Sequence, residues 1–382
     1  GRGSHGRRPR LPRRSLGIAG AAPETSMTKQ ADFKRRVRER MARTGESYTA
    51  AREQLLARPP SEAGTLHVTN GDSTAQSLLQ TTLGELVERV VVWRDVLHEG
   101  PVPDVGDADL RAIRAQFLGA SVRDFEERDS ALAAGRDGEY VLWFEADLYD
   151  QLQIAQILAR LAELRVPAER ITLICIGAYL GIAHFGGLGE LRPDQLEGLP
   201  VAAAVRLTGV AVALGVQAWA ALRAPDPREL AAIVAARSPE LRFMPEAFDR
   251  LGREYPWTRD GLSLTERRLL AAVAEGAATA GEAFVRGAAR ESRPYLGDTW
   301  AFAAIERLAR AEVPLLDAGA GAVDRHAAVA LTDAGRGVLD GAADHVVLNG
   351  IDRWIGGVHL AGRSLRWRWD DGVEAIVLSA GA

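Results

Sequence analysis

One cysteine, Cys175, stands in the whole 382-residue sequence, and a single thiol excludes an internal disulfide framework and a cysteine-rich zinc site. A reducing cytoplasm fits that count. Cys175 lies inside ITLICIG, a buried-strand pattern, so it reads as an inert core thiol. Long apolar runs are also missing. Val201 to Trp219 comes nearest but carries Arg206 and Gln217, so a soluble protein with no membrane span is expected. The strand-to-helix turns carry no G-x-G-x-x-G and no Walker lysine, and no H-E-x-x-H is present, which leaves any phosphate or zinc signal weak.

Charge is uneven. The net value is −4, yet residues 1–60 hold 15 Lys/Arg against 5 Asp/Glu, leaving 32 against 46 for the rest, a balance of −14. A body that acidic argues against nucleic acid as the partner. Residues 1–26 read as a disordered basic tail without the apolar segment of a secretory signal, with Met27 as the expected start; contact with RNA or a membrane is the functional alternative. Residues 27–60 read as a small helical hairpin and a linker, with Phe33, Val37 and Met41 at helical spacing.

The informative stretch is Thr65 to Pro103. A β-prone run, Leu66 to Thr69, breaks at Asn70-Gly71-Asp72-Ser73, where Ser73 and Gln76 fit a capping box opening a helix. At a strand's carboxyl end, the backbone N–H groups after Gly71 and the Ser73 hydroxyl suit an anion or a ribose, and Asp72 suits a hydroxyl, an amine or a metal. A second apolar strand, Val87 to Trp93, runs into Arg94-Asp95-Val96-Leu97-His98-Glu99-Gly100-Pro101. There, Asp95 and His98 can share a metal with Asp72, or His98 can act as general base oriented by a carboxylate; the plain alternative is a loop whose charges pair with Arg94. A third strand, EYVLWF, leads into Glu145 and Asp147 and a helix over Leu148 to Leu164, which Asp147 can cap. In one parallel sheet those acids would meet the Asp72 and Asp95 turns, and four acids together need a cation, a basic ligand or shared protons.

Ile171 to Ile176 is the fourth strand, followed by a glycine-rich loop carrying His184, read as structural. Pro193 to Tyr255 reads as all helical, and Asp109 to Leu132 as a charged helical stretch. Beyond Gly261, three helices, two short strands and a closing helix suggest a winged helix. Asp298 and Glu306 offset Arg307 and Arg310 on the helix in the reading position, which favours protein contact over DNA. The end, LNGIDRWIGGVHLAG and LRWRWDDGVEAIVL, is hairpin-like; it either folds back on the N-terminal cleft or forms a tight turn with an Asp352/Arg353 surface pair.

The strings HVTNGDSTA, WRDVLHEGPV, LWFEADLYDQLQ, LICIG, HFGGLGEL, GLSLTERRLL, YLGDTW and LNGIDRWIGGVHL, in order over residues 64–362, resemble the bacterial family named domain of unknown function eighteen thirty-five with its usual C-terminal companion. The resemblance implies Asp72, Asp95, His98 and Glu99 as site candidates and supplies no mechanism. The expected architecture is α/β: a Rossmann-like parallel sheet of about four strands over 61–190, a helical middle over 191–258 and a winged-helix-like domain over 259–382. The expected function is binding, or transformation, of a polar, nucleotide-like small molecule at the sheet's carboxyl edge. Asp95, His98 and Glu99 are its catalytic candidates; Asn70, Gly71, Asp72, Ser73, Glu145 and Asp147 are its ligand contacts. The sequence names no metal or cofactor and leaves open whether the protein is an enzyme. The alternative is a ligand-sensing regulator whose C-terminal domain meets a protein partner or DNA.

Overall fold

The computed structural model describes residue 38 and residues 64–81, 89–183 and 185–379. The basic tail, the 27–60 hairpin apart from residue 38, and His184 lie outside the described residues. β1 (Thr65–Thr69) leads through Asn70 and Gly71 into α1 (Asp72–Leu79), and β2 (Arg89–Val92) returns beside it. The cap of α1 is Gly71, with no side-chain hydrogen bond, so the expected Ser73 capping box does not form. A two-residue strand, β3 (Gly100–Pro101), precedes α2 (Asp107–Leu118) and α3 (Val122–Ala134). The charged stretch is two helices because Gly119 closes α2 in the left-handed region (φ 63°) and the Ser121 hydroxyl caps α3.

β4 (Glu139–Glu145), α4 (Leu148–Glu163) and β5 (Ile171–Ile176) complete a parallel array in which Val68 sits opposite both Val91 and Leu142, and Leu142 opposite Leu173. All four are buried, as in a sheet covered on both faces. After α5 (Pro193–Ala203) the chain extends into β6 (Ala204–Arg206), which pairs antiparallel with β5. The region expected to be all helical therefore adds a fifth strand before α6 (Gly209–Arg223), α7 (Leu230–Val234) and α8 (Met244–Gly252). The strand order is β2-β1-β4-β5-β6, so chain direction across the sheet reverses between β1 and β4. That gap is the topological switch point, where parallel sheets open a crevice at their carboxyl ends. Helix α4 is buried from Asp150 to Leu161 and pairs its polar groups with the strand ends. Gln151 donates to the Glu145 carbonyl (2.7 Å), and Gln156 accepts from the Trp93 indole (2.8 Å).

A second core, including Leu269, Leu270, Ile305, Leu308 and Leu315, joins α9 (Leu264–Ala274), α10 (Ala280–Ala288) and α11 (Asp298–Ala309). β7 (Leu316–Asp317) and β8 (Ala330–Leu331) pair antiparallel, followed by α12 (Asp333–Leu339) and α13 (His345–Asn349). Two hairpins end the chain, β9 (Ile351–Gly356) with β10 (Val358–Gly362), and β11 (Trp367–Asp370) with β12 (Ala375–Leu378). β9 also pairs in parallel with β3, so the C-terminal hairpin does fold back on the N-terminal α/β layer. The Asp352/Arg353 surface pair does not form. Arg353 is 11% exposed and its Nη2 donates to Glu99 (3.1 Å) and Glu254 (2.9 Å). No helix among the described residues is long and apolar enough to cross a membrane.

The loop from Asp95 to Pro101 is wound around one buried guanidinium. Arg114 donates to Asp95 Oδ1 (2.7 Å) and to the carbonyls of Val96 (2.9 Å), Glu99 (2.8 Å) and Pro101 (3.3 Å). Removing one member of such a pair strands the other charge in the interior, at a cost of about 3–5 kcal/mol. Arg114→Met is therefore expected to lower the urea-unfolding free energy by about that amount. A loss below about 1 kcal/mol would show that the loop is held by something else.

Candidate functional site

At the switch point, Asn70 follows β1 and Glu145 ends β4, and the two are joined. The Asn70 amide nitrogen donates one hydrogen bond to Glu145 Oε2 (3.2 Å) and another to Asp150 Oδ1 (2.8 Å), using both of its protons. Asp150, in the first turn of α4, also accepts from the Glu145 backbone N–H through Oδ2. Asp147 caps that helix by accepting from Asp150 N (3.0 Å), as its position implied. Ligand atoms of Glu145, Asp147 and Asp150 lie within 4.8 Å of one another, the one group of potential metal-ligating side chains of this kind among the described residues.

Two loops wall the cluster. In the glycine-rich loop, Leu188 N donates to Glu145 Oε1 (2.6 Å), and Gly187, at φ 142°, makes this approach possible because a Cβ there would stand 2.8 Å from the carboxylate. From the other side, the segment after α10 brings Ser292, Arg293 and Pro294 over the pocket, whose volume is about 40 Å³. Arg293 also donates to Glu246 (2.8 Å), which fixes its direction.

Burial pushes the Glu145 carboxyl up to about 7, with Asp147 adding repulsion, while the Leu188 and Asn70 donors oppose the rise. Burial likewise raises Asp147 to about 6, against the pull of Arg293. Asp150 is held well above the ordinary carboxylate range by burial and by its neighbours Glu145 and Asp147. Three acids this close titrate as a unit, so protons are shared near neutral pH. The site can hold a cation or accept and return a proton.

The other sequence candidates are dispersed. Asp72 reaches the sheet's carboxyl edge but is exposed and ion-paired with Arg94. Ser73 donates to the Gly189 carbonyl (3.0 Å), and the Gly71 carbonyl accepts from Ala75 N within α1. Asp95 is consumed by Arg114, so no metal set of Asp72, Asp95 and His98 exists. His98 is 3% exposed, lies edge-on to Tyr149 and Tyr295 and does not line the pocket. Burial lowers it to about 3, so it is neutral at pH 7, and neither ring nitrogen has a partner among the described residues. Glu99 does not orient it, because that carboxylate accepts from Arg353 instead. The four-acid meeting expected at this edge is replaced by three acids and an amide.

Sequence reasoning missed Asp150 and Arg293. The spacing of Asp147 and Asp150, three apart on a helix start, was a readable signal for a shared face. Arg293 arrives from 146 residues beyond Asp147 and left no local trace. The thiol of Cys175 is buried and shifted upward by burial, in keeping with a core role. Compared with known proteins, the chain matches no family model and no curated sequence.

The raised carboxyl groups make stability depend on pH with a defined sign. Below about 4.5 Glu145 is protonated in both folded and unfolded chains, and its contribution is intact; as pH rises through about 7, the folded site loses a proton that it holds more tightly than the unfolded chain does. The melting temperature of the wild type relative to Glu145→Gln should therefore fall steadily between pH 4.5 and 7.5. A difference that stays flat over that range would contradict the assignment.

Proposed function

We propose that this protein binds a small polar molecule at the carboxyl edge of the sheet, between β1 and β4, and that Glu145 and Asp147 contact it, with Asp150 buried behind them. The observation that carries this reading is the convergence of three carboxyl groups with raised proton affinity and the Asn70 amide at the switch point, beside a pocket walled by two loops. The acid excess favours a ligand that brings hydroxyl groups, an amine or a hard divalent cation, and disfavours a bare phosphate, for which Arg293 is the one guanidinium lining the pocket. A group that exchanges protons near neutral pH also suits general acid/base chemistry, with Glu145 as the exchanging residue. A cytoplasmic setting and membership of the family that the sequence resembles belong to the same proposal. The regulatory reading has less support, because Arg310 is tied to the Gly321 carbonyl (2.6 Å) and acids share the exposed side of α11.

A thermal-shift screen of Mg²⁺, Mn²⁺, Ca²⁺, small diamines and polyols against the full chain tests this. At least one probe should raise the melting temperature in a concentration-dependent way, and the shift should disappear in Asp150→Asn and Glu145→Gln. Equal shifts in wild type and both variants, or no shift with any probe, would remove the support for a ligand at this edge.

A further inference from the structure

A second and larger concavity lies away from the carboxylate cluster. It is a cleft of about 520 Å³ between β3, α2, α11 and β9, within the size range of small-molecule sites. Helical spacing builds two of its walls: Trp300 and Arg307 stand two turns apart on α11, and Phe117 occupies the last turn of α2. The Phe117 and Trp300 rings stack at 5.6 Å with planes 9° apart. Gly100, at φ 75°, lets Phe117 settle against the β3 backbone, since a Cβ there would come within 2.4 Å of the ring. The third aromatic wall, Trp354, is braced by His359 at 4.6 Å and 4°. The cleft is therefore lined by three aromatic side chains, each held by a defined neighbour.

Its charges are not equally engaged. Arg353, in the floor, is shared by Glu99 and Glu254, and Asp352 is hydrogen-bonded to His359 (2.7 Å). Arg307 is exposed; its charge helps to hold the Glu266 carboxyl down, but its guanidinium makes no hydrogen bond or close ion pair among the described residues. The Nε of Arg353 is also a buried donor without an acceptor among them. A guanidinium with its fork unoccupied, beside aromatic faces, matches a flat ring bearing a carboxylate or phosphate, which pairs bidentately with the fork while the ring stacks.

We infer that this cleft is a binding site for a planar aromatic anion, with the ring against Trp300 and Trp354 and the acidic group at Arg307. It is separate from the Glu145 cluster and does not depend on the function proposed there.

The test is a titration of the full chain, followed by tryptophan fluorescence and calorimetry, with adenosine 5′-monophosphate and indole-3-acetate as aromatic anions and adenosine and inorganic phosphate as controls. At least one aromatic anion should bind saturably, and whether it is the phosphate or the carboxylate identifies the acidic group. Arg307→Gln and Trp300→Leu should each weaken it roughly tenfold or more. Glu145→Gln should leave it unchanged. Both α11 variants alter side chains that are not fully buried, and matching circular dichroism and urea midpoints confirm that they fold. The inference is overturned if neither anion binds, if adenosine binds as tightly as its monophosphate, or if affinity is the same in Arg307→Gln as in the wild type.

Discussion

The amide of Asn70 sets the constraint on which the carboxylate site rests. Glu145 and Asp150 are both buried, on adjacent elements, and without a donor between them their oxygens would face one another in a low-dielectric interior. A single NH₂ group supplies one proton to each. Hydrogen bonds of this kind to charged groups contribute roughly 1.5–3 kcal/mol each, and leaving such oxygens unpartnered costs at least as much. The Asn70 donor opposes the rise of the Glu145 carboxyl only in part, because burial, with Asp147 beside it, still pushes that group up to about 7. The parallel pairing of β1 with β4 makes the bridge possible, because it delivers both strand ends to one edge in fixed register.

Around that bridge the molecule is tied together by buried ion pairs of long sequence reach. Glu254 is a clear case: burial raises its carboxyl, but Arg250 and Arg353 outweigh burial and hold it well below the usual range. Arg353 in turn links Glu254 on the segment after α8 to Glu99 beside β3, across 254 residues of chain in the latter case. The β3 to β9 pairing runs alongside. Breaking any one of these ion pairs leaves a buried charge without its partner, at a cost of about 3–5 kcal/mol. Here they fix the walls of the aromatic cleft relative to the sheet.

Much of the fold was legible in the sequence. The apolar strands, the turns after them and the helix opened by Asp147 are local patterns, and the structure realises them at Leu66–Thr69, Tyr140–Phe144, Ile171–Ile176 and Leu148–Glu163. β6 was not legible, since three residues between two helices carry too little periodicity to read. The site divided in the same way. Asn70, Glu145 and Asp147 stood out as polar residues at strand ends, and they converge. Asp95, His98 and Glu99 stood out for the same reason and do not converge, because Arg114 and Arg353 claim the two acids and two tyrosines enclose the imidazole. Local density of ionisable groups marks a strand end; it does not reveal which distant cation arrives to neutralise them.

The most direct measurement is a carbon-13 NMR titration of the side-chain carboxyl groups in the wild type and in Asn70→Ala. The account predicts a carboxyl, assigned to Glu145, titrating near pH 7 in the wild type, and moving higher when the bridging amide is lost. If every carboxyl in the cluster titrates below pH 5 and none responds to the removal of Asn70, the three acids do not act as a unit and the account fails.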